Sequence, residues 1–536
     1  MRERRQLLRL LAAICGAAAV LVLAACGSKS TSSTSTQSST TAKATKGGSI
    51  TVLEDSAFAG AWPAGLDPAT NTNGAANQPY MNSIFGQLFK INEQGKIVPD
   101  LASGYTFEND GKTVKIKLRT GVKFSDGTPF NADAVVFNIK RDLKSTCTCR
   151  PVWPVKSVTA EGDDTVVLNF TAPYAAVIAS FVDSNANWTA SPTALKKLGE
   201  KKFRITPVGA GPFKVVSNKL SSELVLTRNT TYWKQGKPLL DKLTFKSVGG
   251  DQAAYQALLA GQAQAYEGIS TPQLVQQAAK NPKLKVTQQK STSPYFMQLN
   301  TTIPPFNNPK ARQAIYYASD SEAIRSHIFN NMYENTQGFT GPGGLFFEPT
   351  VPGYRTYNLD KAKQLVKELG GLKVTLGTIN VLVAKETIQA LQTQWQQAGM
   401  KVKIESYDLP GLIQAFQSKK WQAELQTAGS YDPAQGVGVA FRMSSMSPFS
   451  GIKDPKLDKM LGEGAGTLDE GKRKQIYDDM AKYISDQAYG PFYFAFAPAN
   501  IAVKGVTGPG LTTAMPAVVV NPDVFWDEVS ASSGSS

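Results

Sequence analysis

One histidine, His327, stands in a chain of 536 residues and is the only imidazole available for acid–base or metal chemistry. It lies in EAIRSHIFNNMY, a helical pattern that suits a structural histidine, and a Ser/His/Asp hydrolase would have to be built around it. Cys147-Thr148-Cys149 is the second group with chemical potential. Outside the cytoplasm such a pair oxidises, so a disulfide in a surface loop is preferred over a metal site or a free dithiol; a metal would need two further ligands. Gly462-Glu463-Gly464-Ala465-Gly466 is glycine-rich but follows a helical stretch rather than a strand, which is the wrong context for a phosphate cradle. No GxSxG elbow, P-loop, HExxH or paired CxxC occurs, and no two of the 42 acidic residues are marked out for glycoside hydrolysis. The residue types point away from an enzyme, and imply no cofactor and no metal.

The elements that would position a site alternate strand and helix beyond Gly47. Residues 372–379 (LKVTLGTI) and 401–407 (KVKIESY) alternate as half-buried strands. Between them, 386–398 place Ile388, Leu391 and Trp395 on one helical face, with Gly399 as the stop. Strand, helix and strand at this spacing predict a βαβ unit with parallel strands. Asn358 is placed to cap a helix carrying Ala362, Leu365, Val366 and Leu369. Asp251 opens another with Ala253, Tyr255, Leu258 and Leu259, closed by Gly261. From Tyr80 to about Phe203 the texture changes to short alternating strands at 113–118 and 165–170 around a helix at 132–143, an α+β insertion.

The N-terminus reads as an address. Arg2, Arg4, Arg5 and Arg9 precede an uncharged run at 10–25 that would span about 24 Å as helix, short of the roughly 30 Å bilayer core. The run ends in Leu23-Ala24-Ala25-Cys26-Gly27, which resembles a bacterial lipobox with Cys26 as the lipidated residue. Arg4-Arg5-Gln6-Leu7-Leu8-Arg9 also resembles a twin-arginine signal, so both export routes stay open. Thirteen Ser or Thr between Ser28 and Thr45 make residues 26–46 a solvated tether. The net charge of +15 first suggests nucleic acid, yet 1–25 and the tether each carry +3, leaving +9 dispersed over the remaining 490 residues. The one basic cluster, Lys196, Lys197, Lys201, Lys202 and Arg204, reads as a solvated helix end. Nucleic acid is not the partner.

Eight motifs in order resemble the dipeptide/oligopeptide-binding lipoproteins of ABC importers, solute-binding protein family 5. They include Leu66-Asp67-Pro68, Pro99-Asp100-Leu101-Ala102, the run from Leu118 to Phe137 (LRTGVKFSDGTPFNADAVVF), Pro207-Val208-Gly209-Ala210-Gly211-Pro212-Phe213, Arg228-Asn229-Thr230-Thr231-Tyr232-Trp233, Ala311-Arg312-Gln313-Ala314-Ile315 and Asp454-Pro455-Lys456-Leu457-Asp458. The resemblance implies a bilobal α/β fold of the periplasmic-binding-protein kind (type II, cluster C), with an extra α+β domain inserted in the first lobe. On that pattern 47–79, 204–290 and 496–536 form the first lobe, 80–203 the inserted domain and 291–495 the second lobe. Solute binds between lobes that close about a hinge.

The resemblance also implies where a peptide would be held. In peptide-binding relatives an acidic residue in a "DxP"-like stretch of the second lobe meets the ligand amine, and Tyr431-Asp432-Pro433, downstream of Trp421, stands near that place. Asp432 is thus the first candidate. Arg442 is a candidate for the ligand carboxylate, and Tyr295, Trp62, Trp421 and Tyr431 for aromatic walls. The expected protein is a monomeric, non-enzymatic receptor, lipid-anchored through Cys26 on the extracytoplasmic face of the cell membrane, that captures di- or oligopeptides and passes them to ABC permease subunits. The alternatives are the same receptor with an oligosaccharide or metal-chelate cargo, or an extracytoplasmic hydrolase.

Overall fold

The computed structural model describes residues 46–532 except 58, 73, 146, 148, 436, 437, 519 and 520. The signal segment, the lipobox with Cys26 and the tether as far as Thr45 lie outside the described residues. Among the described residues no helix is long and apolar enough to cross a membrane.

Two large sheets organise the body. The first has seven strands in the order Leu284–Gln288, Ala499–Val503, Ala265–Ile269, Ser49–Asp55, Lys242–Val248, Glu223–Arg228 and Phe213–Lys219. Its central strand, Ser49–Asp55, runs parallel to both neighbours, and its apolar run Ile50, Val52 and Leu53 packs on both faces, as in a parallel sheet covered on each side. The helix Asp251–Leu259 crosses between two of these strands, but it buries Ala254, Tyr255 and Leu258 and leaves Leu259 exposed, so its inner face is offset from the expected one. Asp251 does not cap that helix; its carboxylate accepts from the Ser270 and Thr271 amides and the Tyr266 hydroxyl, tying helix start to strand end.

The second sheet has six strands, ordered Glu334–Asn335, Phe492–Phe496, Ser293–Leu299, Ala423–Thr427, Lys373–Ile379 and Lys401–Tyr407. The predicted βαβ unit is present: Lys373–Ile379 and Lys401–Tyr407 pair in parallel, and Leu382–Gln397 crosses over with Ile388, Leu391 and Trp395 buried. Asn358 caps Leu359–Glu368 by accepting from the Lys361 amide at 3.0 Å. Gly377, in mid-strand, has no Cβ because one would collide with the Glu424 carboxylate on the neighbouring strand.

A four-stranded antiparallel sheet, Ala102–Glu108, Thr113–Leu118, Thr165–Phe170 and Val155–Glu161, with the helix Ala132–Asp142, forms the insertion. Its core runs from Leu88 to Ala186. The flanking residues Tyr80 to Phe85 and Trp188 to Phe203 share a hydrophobic cluster with the strands of the first large sheet. The helix Gln78–Phe85 is buried on every side and so shows no amphipathic edge that would mark the boundary.

The chain crosses between the large sheets twice. Leu284–Gln288 leads through Lys290–Ser291 into Ser293–Leu299, and Phe492–Phe496 leads back into Ala499–Val503. The crossings lie side by side: Gln288 Nε2 donates to the Ala497 carbonyl at 2.6 Å and Ser291 Oγ to the Phe496 carbonyl. Two adjacent short crossings are what a hinge needs.

Candidate functional site between the lobes

The loop around Gly341–Gly344 of the second lobe lies on the hinge. The Gly343 amide donates to the Ser291 carbonyl at 2.7 Å, and a Cβ at Gly341 or Gly343 would overlap the hinge carbonyls of Ser291 and Lys290. Two residues on, the Leu345 amide donates to the Tyr431 carbonyl at 2.7 Å. Tyr431 reaches the insertion: its amide donates to Asp183 Oδ2 at 3.1 Å, its hydroxyl to the Gly95 carbonyl, and its ring joins the insertion's core. Gln435 Nε2 donates to the Tyr174 hydroxyl, and the Ala176 amide to the Ala465 carbonyl at 3.3 Å. The second lobe therefore rests against the inserted domain. Burial holds the Asp183 carboxyl well above the usual carboxylate range, although the Tyr431 amide favours its charged form.

Asp432 sits at the start of this turn with no exposed surface. Arg473, on the helix Glu470–Asp486, holds both its oxygens, and the Ala434 amide donates to Oδ1 at 3.0 Å. An incoming ammonium would have to share that carboxylate with Arg473. The glycine-rich run is part of the same arrangement: Gly462–Gly466 completes the helix Pro455–Gly466, and the Gly464 carbonyl accepts from Arg473 Nε at 2.5 Å.

Arg442 presents the opposite situation. It is buried on the short helix Val439–Met443, its Nε donates to the Thr427 carbonyl at 3.1 Å, and its guanidinium lies 5.2 Å from the Phe441 ring. Among the described residues no carboxylate pairs with it and its terminal nitrogens make no hydrogen bond. Burial pushes it down to about 10. Trp421 is near: both residues pack on Phe416, Trp421 at 5.0 Å between ring centroids and Arg442 at 5.9 Å. Trp421 also lines a cavity of about 400 Å³ with Glu405, Tyr407 and Glu424 between the helix Leu409–Ser418 and the sheet.

The remaining aromatic candidates lie elsewhere. Tyr295 packs on Phe494 and Phe496 beside the hinge, at 5.5 and 5.7 Å. Trp62 is inside the first lobe against Tyr80, its indole N–H donating to Asn218. The structure thus joins Tyr431 with Asp432 and Trp421 with Arg442, but does not bring all six residues into one wall. Cys147 and Cys149 are bonded to each other, and both are buried against Gly74 rather than set in an exposed loop. His327 is exposed, with Nδ1 3.0 Å from the Ala323 carbonyl. Among the described residues no cluster of His, Cys, Asp and Glu could hold a metal.

Sequence reasoning passed over Arg473, Asp183 and two glutamates that lie within first-lobe strands, Glu54 and Glu267. The last two carried a signal: an acid inside an otherwise apolar strand (SITVLED, AYEGI) is seldom buried without reason.

Comparison with known proteins agrees with this architecture. A profile described as bacterial extracellular solute-binding proteins, family 5 Middle, matches residues 96–453. The glutathione-binding protein GsiB of Salmonella typhimurium is 31% identical over 353 residues, 64% of this chain and 67% of that protein. Among solved structures, the periplasmic binding protein DppA of Helicobacter pylori in complex with the peptide STSA matches with TM-score 0.74 and 22% identity, covering 91% of this chain and 98% of that one. The binding protein MoaA of A. tumefaciens in complex with mannopinic acid matches with TM-score 0.76 and 20% identity, covering 91% and 100%. Proteins of this kind are extracytoplasmic carriers that deliver small solutes to ABC permeases. With the profile spanning most of the body and the two-lobed fold shared, the chain belongs to the bacterial extracellular solute-binding proteins of family 5.

Proposed function

We propose that this carrier takes short peptides, binding their C-terminal carboxylate at Arg442, and that it is held at the cell membrane by a lipid on Cys26. The observation that carries the reading is the largely buried Arg442, whose terminal nitrogens reach solvent and have no acidic partner among the described residues. A buried cation without a counter-ion is costly, and a planar fork suits a carboxylate that arrives with the cargo. Trp421 lies close by on the same lobe, packed with Arg442 on Phe416. The peptide bound by DppA and the glutathione named for GsiB fit a cargo of this class.

Calorimetric titration with tri- and tetrapeptides, their C-terminal amides and glutathione tests it. Free peptides should bind and amides should bind at least tenfold more weakly, a difference that Arg442→Met removes. Equal affinity for acid and amide would overturn the Arg442 assignment. Recovery of the peptide intact after incubation separates a carrier from a hydrolase. For the anchor, Cys26→Ser should move the protein from the membrane fraction to the soluble one; unchanged fractionation rejects the lipid.

A further inference from the structure

Glu54 and Glu267 are partners in parallel register on the central pair of first-lobe strands, so their side chains leave the same face of the sheet. Each is 1% exposed, and none of their four carboxylate oxygens has a hydrogen-bond partner. The Tyr80 hydroxyl, also fully buried and unpartnered, is close enough to feel both charges. Asp55 and Asp251 stand nearby and interact with each other electrostatically. None of these four acids makes a salt bridge among the described residues, in a chain with 57 Lys and Arg.

The pair lies beside the hinge. Glu267 faces Asn500 on the strand that has just returned through the hinge, and three residues beyond it the Ser270 carbonyl accepts from Tyr333 of the second lobe at 3.4 Å. Burial raises both glutamates, Glu267 to about 8, and the Glu267 charge raises Glu54 further. One shared proton would leave most of the four oxygens unserved, whereas a guanidinium, with five N–H donors, could serve all of them and the phenol, and an ammonium three of the five. Coordination of a metal is disfavoured because no third ligand joins the pair among the described residues.

We infer that Glu54, Glu267 and Tyr80 form a subsite on the first lobe for a cationic group of the cargo, an ammonium or guanidinium. The inference rests on the reading of the chain as a peptide carrier and assigns the pole opposite the carboxylate. It also gives the basic chain a selective cation receptor.

The test compares Ala-Ala-Ala, its N-acetyl form, Lys-Ala-Ala, Arg-Ala-Ala and norleucyl-Ala-Ala, together with agmatine and cadaverine, which carry the cation without the peptide. Binding to the wild-type chain and to Glu54→Gln/Glu267→Gln is followed by calorimetry and thermal shift. Removing the positive group should weaken wild-type binding at least tenfold, and the double variant should lose that discrimination while melting no lower than wild type. Peptides that bind with no preference for charge, or a preference surviving in the double variant, overturn the subsite alone. Agmatine binding that the double variant loses, with no peptide bound by either protein, supports the subsite and overturns the peptide reading. Tyr80→Phe, which keeps the ring, should reduce cation affinity by a few fold; an unchanged value removes Tyr80 from the subsite.

Discussion

Arg473 grips Asp432 with two parallel contacts, Nη1 to Oδ2 at 2.6 Å and Nη2 to Oδ1 at 2.8 Å, and the two side chains are 7% and 0% exposed. The pair fastens the 430–435 turn, which carries Tyr431 to the insertion, to the helix Glu470–Asp486. Removing one partner leaves a buried charge alone. Arg473→Met should lower stability by about 3–5 kcal/mol, and adding Asp432→Asn should recover most of the loss. Urea melts of the single and double variants measure both, and equal losses would show that the charges are not coupled.

How much of this was readable beforehand depends on distance along the chain. The βαβ unit of 373–407 was legible because period 2 and period 3.6 are written in consecutive residues. The packing at the insertion's edge was not, since a helix buried all round, Gln78–Phe85, has no polar face to show which core it joins. Asp432 was visible as an acid before proline, but its partner lies 41 residues away and only folding brings it there. Glu54 and Glu267 meet solely through parallel strand pairing, which local pattern does not encode. Arg442 was picked out as a cation, and the structure adds that nothing among the described residues neutralises it.

Glu424 offers a pH test. Burial first, and then the Glu405 charge, push it up to about 8. The folded chain therefore holds this proton more tightly than the unfolded chain does. The associated stability is full below the ordinary glutamate value of about 4.3 and is lost as pH rises through about 8. Glu424→Gln should melt with wild type at pH 5 and about 1–3 °C above it at pH 9. Scanning calorimetry at the two pH values decides; a constant difference would rule out the titration.

The hinge glycines should resist substitution. Gly343→Ala would set a methyl group into the Lys290 carbonyl and shift the loop that also carries Leu345 and Tyr431. Overpacking of this kind costs about 1–3 kcal/mol. Gly249→Ala is the control, because Gly249, like Gly343, is not left-handed and has open space around it. Peptide titration should show weaker binding in the first variant than in the second.

The Cys147–Cys149 bond closes a very short loop, so its entropic contribution is small. Replacing both residues with serine should cost about 1–2 kcal/mol by the loop model. A reducing agent should lower the melting temperature of wild type and leave the double variant unchanged. Gly74→Ala, which would press a methyl group onto both cysteines at a φ of +51°, should destabilise more than the loss of the bond.

Asp183 gives the lobe contact a chemical consequence. Its carboxyl is sealed beneath the Tyr431 amide and raised by burial, and parting the second lobe from the insertion would return it to water and to its ordinary acidity. A proton held in the closed form would then be lost on opening, so acid should slow the release of cargo, alkali should speed it, and Asp183→Asn should flatten the pH dependence of the dissociation rate. The acidity at the cell surface would in this way help set how long a captured solute dwells before the permease receives it.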